Sequence, residues 1–175
     1  MRIIGLSGWS GAGKTTLLSR VIPVLVARGL KVSTVKHAHH GFDVDIPGKD
    51  SHTHRMVGAS EVFVSSGARW AHIHELRGEP EPDLEEILKR LTPVDLVIVE
   101  GFKRHRHPKL EIYRAALGKP LLHTDDDWIV ALASDGPVPQ ARVPVLPLDD
   151  TEKIVDVLLV ESVPAERLGK RVETA

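Results

Sequence analysis

The sequence predicts a layered α/β protein built on a mostly parallel sheet with an added β-hairpin. Three observations predict it. Short apolar runs alternate with helical stretches along the chain. The first run, Arg2–Ser7, breaks into a Gly-rich turn that opens a helix. A later run, Val94–Val99, is strongly strand-like and ends at Glu100-Gly101. Strands that alternate with helices pair in parallel with helices covering the faces. At 175 residues the chain has one domain's worth of sequence, and a chain of that size buries roughly 70% of its unfolded surface. The expected organisation is a single domain over residues 1–163 and a charged tail over 164–175 that frays.

The elements follow in order. After the Arg2–Ser7 strand, a helix is expected from Lys14 to Arg28, stopped by Gly29. Its apolar residues run most of the way round, which predicts cover on more than one side, and Pro23 predicts a kink. Lys31–Lys36 reads as the second strand and residues 37–49 as a polar loop. Asp50 reads as the N-cap of a short helix over Ser51–Gly58. Glu61–Ser66 and Arg69–Leu76 alternate and form a hairpin. Asp83–Leu91 is helical, Lys109–Tyr113, Trp128–Ala133 and Val143–Leu146 are strands, and Asp150–Ser162 is the closing helix.

Composition excludes several classes. Lys and Arg number 23 against 24 Asp and Glu, so the net charge is −1 and nucleic acid is not the expected partner. There is no run of 18 apolar residues, so no membrane span is expected. The first residues lack a signal-peptide core, and a cytoplasmic protein is the expectation. The absence of Cys removes disulfides, zinc–thiolate sites, iron–sulfur clusters and thiol catalysis. Aromatics are few, so the core must be built from Val, Leu, Ile and Ala.

Gly8-Trp9-Ser10-Gly11-Ala12-Gly13-Lys14-Thr15 matches G-x-x-x-x-G-K-[ST] at every fixed position, with a strand before and a helix after. Glycines let successive N–H groups turn inward onto phosphate oxygens, and the helix brings its positive end to the same anion. The candidate nucleotide-binding residues are Gly8, Ser10, Gly11, Ala12, Gly13, Lys14, Thr15 and Thr16. Lys14 would reach the β- and γ-phosphates, and the Thr15 hydroxyl would ligate Mg²⁺. The fold class is therefore a three-layer P-loop NTPase fold.

The metal needs an acid at the carboxyl end of a buried strand beside the phosphates. Glu100 has that position, and Asp95 lies at the other end of its strand, roughly 15 Å away. Lys14 and Glu100 are the candidates for catalysis of phosphate chemistry. Thr15, Glu100 and Asp50 are the candidates for the metal, with Asp43 and Asp45 in the same loop as Asp50.

Ten histidines gather as His37, His39 and His40, as His52 and His54, as His72 and His74, and as His105 and His107, with His123 alone. On a strand His72 and His74 point to one face, but no pair has helical i,i+4 zinc spacing. Polar surface and loop positions explain them, with phosphate or substrate contact and metal binding as the alternatives. The stretch from Lys103 to Lys109 is basic, either a solvated loop or a clamp for a second anionic ligand.

With these segments in hand the chain resembles the MobB family, the nucleotide-binding adaptors of molybdopterin guanine dinucleotide biosynthesis. Gly8–Thr16, the run from Lys36 to Asp45, Pro47-Gly48-Lys49-Asp50-Ser51, His54-Arg55, Gly58-Ala59, Glu100-Gly101-Phe102-Lys103 and Lys109-Leu110-Glu111 carry the resemblance. It implies a GTP- and Mg²⁺-binding homodimer with weak GTPase activity. Such a protein assists a guanylyltransferase that joins GMP to molybdopterin. Related dimeric ATPases often place a Lys at the second loop position, where this chain has Trp9. No Asn-Lys-x-Asp or Thr-Lys-x-Asp run is present, so guanine preference rests on the resemblance. Asp135, after a strand, is the candidate to pair with guanine N1 and N2. The alternatives are a His-rich GTPase metallochaperone for nickel or zinc, and a small-molecule kinase.

Overall fold

The computed structural model describes residues 1–38, 41–103 and 105–168. His39, His40 and Arg104 lie outside the described residues, as does the tail from residue 169. The chain forms two compact units, Met1–His37 with Leu84–Ala175, and Ala38–Asp83.

The larger unit holds a seven-stranded sheet. Its strands are β1 (Arg2–Ser7), β2 (Val32–Lys36), β5 (Leu96–Glu100), β6 (Lys109–Tyr113), β7 (Ile129–Ser134), β8 (Val145–Pro147) and β9 (Val163–Pro164). The order is β2-β5-β1-β6-β7-β8, with all neighbours parallel. Short β9 pairs antiparallel with the start of β1, Arg2 opposite Pro164 and Ile3 opposite Val163. Residues 164–168, read from sequence as the start of the tail, are thus tied to the sheet, and the Ala165 N–H donates to the Met1 carbonyl.

Three helices cover the faces: α1 (Lys14–Ala27), α3 (Leu84–Arg90) and α4 (Thr151–Glu161). One face packs Ile4, Leu6, Leu96, Ile98, Leu110 and Ile112 against Leu17, Val21 and Leu25 of α1 and Ile154, Val155 and Leu158 of α4. The other packs Ile3, Val35, Val97 and Val99 against Leu84 and Leu88 of α3 and Phe102. The three layers expected from the alternation of elements are present.

One expectation for α1 needs correction. Its buried residues Leu17, Val21 and Leu25 form one stripe at i, i+4, i+8, and Val26 is exposed, so the helix is covered on one side. The helix also continues through Pro23. Proline removes one rung of the ladder, but burial of Val21 and Leu25 on either side holds the turn together.

The second sheet face carries a buried polar strip between two apolar clusters. Lys109 is almost fully buried and donates to Asp126 Oδ2 (3.0 Å) and the His105 carbonyl (2.8 Å). Its pKa is lowered by burial, against the pull of Asp126. Glu111 accepts from the N–H groups of Leu122 (2.7 Å) and His123 (3.1 Å) and meets His123 Nδ1 at 2.8 Å. His107 is fully buried against Gly5, where an added Cβ would fall 2.5 Å from its Nε2. Neither ring nitrogen of His107 has a hydrogen-bond partner. Two histidines expected at the surface, His107 and His123, are therefore core residues.

The smaller unit holds α2 (Asp50–Met56) and the antiparallel hairpin β3 (Glu61–Ser65) and β4 (Trp70–His74). Asp50 is the first helical residue, and Lys49 takes the cap position expected of it. Arg55 gathers Asp43 (2.7 Å), Asp45 (2.5 Å) and Glu75 (2.5 Å), and holds the Asp45 carboxyl below its usual range. His74 lies between Glu61 (2.8 Å) and Glu79 (3.1 Å), with His72 also 3.4 Å from Glu61. The hydrogen bond to Glu61, then that to Glu79, raises the His74 pKa.

Burial, with Lys109 and His105 adding to it, depresses His107 to about 3. The unfolded chain binds this proton near pH 6.5 and the folded chain does not, so folding stability rises with pH between the two values. Acidification from pH 7 to pH 5 is expected to remove about 2 kcal/mol through this group. Urea unfolding of the wild type and His107→Leu across that range checks it, with a flatter pH profile in the variant.

Candidate functional site

The phosphate-loop sequence folds into the turn between β1 and α1. Gly8 has φ 150°, and an added Cβ would sit 2.8 Å from the Ile112 carbonyl of β6, so only glycine lets the loop leave the sheet here. Gly13 caps α1 with φ 99°. No side chain caps α1 and its first turn holds no acid, so the chain supplies no anion to the helix's positive end. Within the loop the Ala12 N–H donates to the Trp9 carbonyl (3.1 Å). Ala12 is buried, whereas Ser10, Gly11, Thr15 and Thr16 are exposed.

Lys14 is half-buried and donates from Nζ to the carbonyls of Gly8 (2.9 Å) and Trp9 (3.2 Å). Its pKa is lowered by burial, with Glu100 opposing and Lys103 and Lys36 adding to the depression. Glu100 stands at the carboxyl end of β5, in register with Leu6 of β1 and Lys36 of β2. Asp95, at the other end, accepts the Lys31 N–H at 2.7 Å and joins strand starts together. Asp50 belongs to the smaller unit.

Sequence reasoning missed Arg114. It follows β6, lies 3.6 Å from where a Gly13 Cβ would be, and donates to the Ala12 carbonyl (3.2 Å) and Asp135 Oδ2 (3.0 Å). It joins the phosphate loop to a cleft of about 470 Å³, a usual size for a small-molecule site. The cleft is lined by Arg20, Arg114, Asp135, Pro137, Leu146 and Asp149 among others. The Arg20 Nε is buried there without a partner. Only the strand order, which puts β6 beside β1, reveals that residue 114 reaches residue 12.

Among the described residues no group of three His, Asp or Glu side chains converges as a metal site. Thr15 adjoins Lys14 in the loop, and Glu100 is the opposite charge that Lys14 feels.

A family model described as molybdopterin guanine dinucleotide synthesis protein B, MobB, matches residues 3–135. The chain belongs to the MobB family. It is 39% identical over 160 residues to the molybdopterin-guanine dinucleotide biosynthesis adapter protein of Escherichia coli strain K12, spanning 90% of this chain and 91% of that one. The adapter protein of Haemophilus influenzae is 38% identical over 159 residues, or 89% and 86% of the two chains. A crystal structure of molybdopterin-guanine biosynthesis protein B superposes with a TM-score of 0.71 at 29% identity, covering 90% of this chain and 98% of that one. The MobB fold therefore supplies the architecture of this site. No helix among the described residues is long and apolar enough to cross a membrane.

The loop after Gly118 is fastened to this site at both ends. Glu111 holds Leu122 and His123, and the Pro120 carbonyl accepts from Trp9 Nε1 at 2.8 Å. Glu111→Ala strands two buried N–H groups and one ring nitrogen, at a cost of roughly 3 kcal/mol or more. Amide exchange at Leu122 and His123 is expected to accelerate over a hundredfold, read by hydrogen–deuterium exchange.

Proposed function

We propose that this chain is a GTP-binding adapter in molybdopterin guanine dinucleotide biosynthesis, one that assists the joining of GMP to molybdopterin and does not carry it out. The adapter role follows from the family and its named relatives. The single observation that supports nucleotide binding is the loop itself. A glycine-curled turn runs from the central strand into an uncapped helix, with Lys14 across its mouth. The triphosphate would lie on the N–H groups of residues 11–16, with Lys14 as counter-charge. Mg²⁺ would be held by Thr15 and Glu100. The ion would neutralise charge that develops on the phosphates.

The cleft lined by Arg20, Arg114 and Asp135 is the natural place for the base and ribose. The Asp135 carboxylate is a proper acceptor for guanine N1 and N2 hydrogens. Hydrolysis is expected to be slow. The only glutamine in the chain is Gln140, so the usual side chain for aligning an attacking water is lacking elsewhere, and positioning carries most of the rate in phosphoryl transfer. Calorimetric titration with GTP and ATP in Mg²⁺ tests the assignment. Lys14→Ala is expected to lose GTP affinity by a hundredfold or more. Asp135→Asn should erase GTP-over-ATP preference while ATP affinity stays unchanged. Turnover should stay below roughly 0.1 s⁻¹.

The reading includes a homodimer and a guanylyltransferase partner, in the cytoplasm. Support for the dimer comes from the hairpin. A two-stranded sheet is marginal alone, yet it exposes Phe63, Val64 and Trp70, with the Phe63 and Trp70 rings stacked at 5.2 Å. Trp70→Glu is expected to shift a dimer to monomer in sedimentation velocity. A wild type that sediments as a monomer would discard this part of the reading.

A further inference from the structure

Two loops leave the carboxyl edge of the sheet on either side of β1, and each carries an exposed lysine held against the same indole. Lys103 Nζ and Lys119 Nζ both lie 5.7 Å from the centroid of the Trp9 ring, within cation–π range. Trp9 itself is fixed by its hydrogen bond to the Pro120 carbonyl.

Neither lysine is there by slack. Lys103 follows Phe102, a non-glycine residue at φ 48°, a left-handed conformation that needs support from its surroundings. That support is burial of the Phe102 ring between His37 (5.0 Å) and His105 (5.1 Å). Lys119 sits in the loop that Glu111 pins through Leu122 and His123. Among the described residues no carboxylate lies within ion-pair distance of Lys36, Lys103 or Lys119. Lys14 feels both Lys36 and Lys103 as like charges and only Glu100 as an opposite one.

Ammonium groups crowd at one edge and lack carboxylates, which is unfavourable unless anions arrive. A magnesium-bound nucleotide triphosphate on the loop uses Lys14. Lys14 Nζ is held by the backbone carbonyls of Gly8 and Trp9, whereas Lys103 and Lys119 are drawn onto the Trp9 ring, and their charge is left over.

We propose that Lys103 and Lys119, presented on Trp9, form a second anion site beside the phosphate loop that takes a terminal phosphate other than the nucleotide's own. The inference rests on the nucleotide reading above. Joining GMP to a second molecule as a dinucleotide couples two phosphate groups. The ligand is thus either the phosphate monoester of the acceptor or the pyrophosphate set free. Lysines suit it as point charges for a dianion, and the indole presents both of them beside the loop.

The test uses full-length protein loaded with a non-hydrolysable GTP analogue and Mg²⁺, titrated with glycerol phosphate or with pyrophosphate and followed by ³¹P line width. Saturable binding of one probe is expected, and which probe binds names the source. Lys103→Ala with Lys119→Ala should weaken it at least tenfold, as should Trp9→Leu, while nucleotide affinity stays within threefold. Binding of neither probe overturns the proposal, as does equal binding by the double variant. A tenfold loss of nucleotide affinity in the double variant also overturns it, since the lysines would then serve the nucleotide. If the analogue itself fails to bind, the nucleotide reading has failed, and titration of the unloaded protein with the same probes decides the lysine site on its own.

Discussion

One close approach governs the site. β1 is gripped by β5 on one edge and by β6 and β9 on the other, and its last turn passes so near β6 that Gly8 has no room for a methyl group. From that contact the rest follows by register. β5 ends with Glu100 beside Leu6. β6 pairs Ser7 with Glu111, and its next residues carry Arg114 to the back of the loop. A parallel sheet aims all its carboxyl ends at one edge, which is why residues far apart in sequence meet there.

The second face of the sheet has an unusual division of labour. Its middle is polar: Lys109 with Asp126, Glu111 with His123, and His107 without a hydrogen-bond partner for its ring. Replacing such groups by apolar residues is often neutral for stability, so their retention calls for another reason. Here Glu111 is spent on two backbone N–H groups and Lys109 on a backbone carbonyl, which fixes the loops on both sides of β6. The cost is borne in the core, and the benefit is order at the rim.

Much of this was legible in the sequence, for local reasons. Strand, glycine turn and helix around residues 2–27 are written in adjacent residues, and so are the hairpin and the Leu96–Glu100 strand. Strand order is not local, so Arg114, Pro120 and Lys119 could not be tied to the loop in advance. Histidine is a poor guide to burial because its ring is both apolar and polar. His107 and His123 looked like their exposed neighbours, yet each is enclosed. Asp43 and Asp45, open as metal candidates, turned out to be neutralised by Arg55. The α1 stripe was overread because Val26 and its neighbours are apolar without being covered.

The pairing of β9 with β1 has a consequence for how the molecule is made. The strand that carries the phosphate loop is synthesised before all of its neighbours, which come from residues 96–100, 109–111 and 163–164. During synthesis on a ribosome, β1 must wait with both edges bare until residues 96–100 have emerged, and Arg2 and Ile3 keep one edge open until residues 163–164 do. Contacts this distant close slowly and leave an apolar strand open to other chains meanwhile. The nascent chain's need for protection is therefore greatest for β1, and it ends when β9 docks.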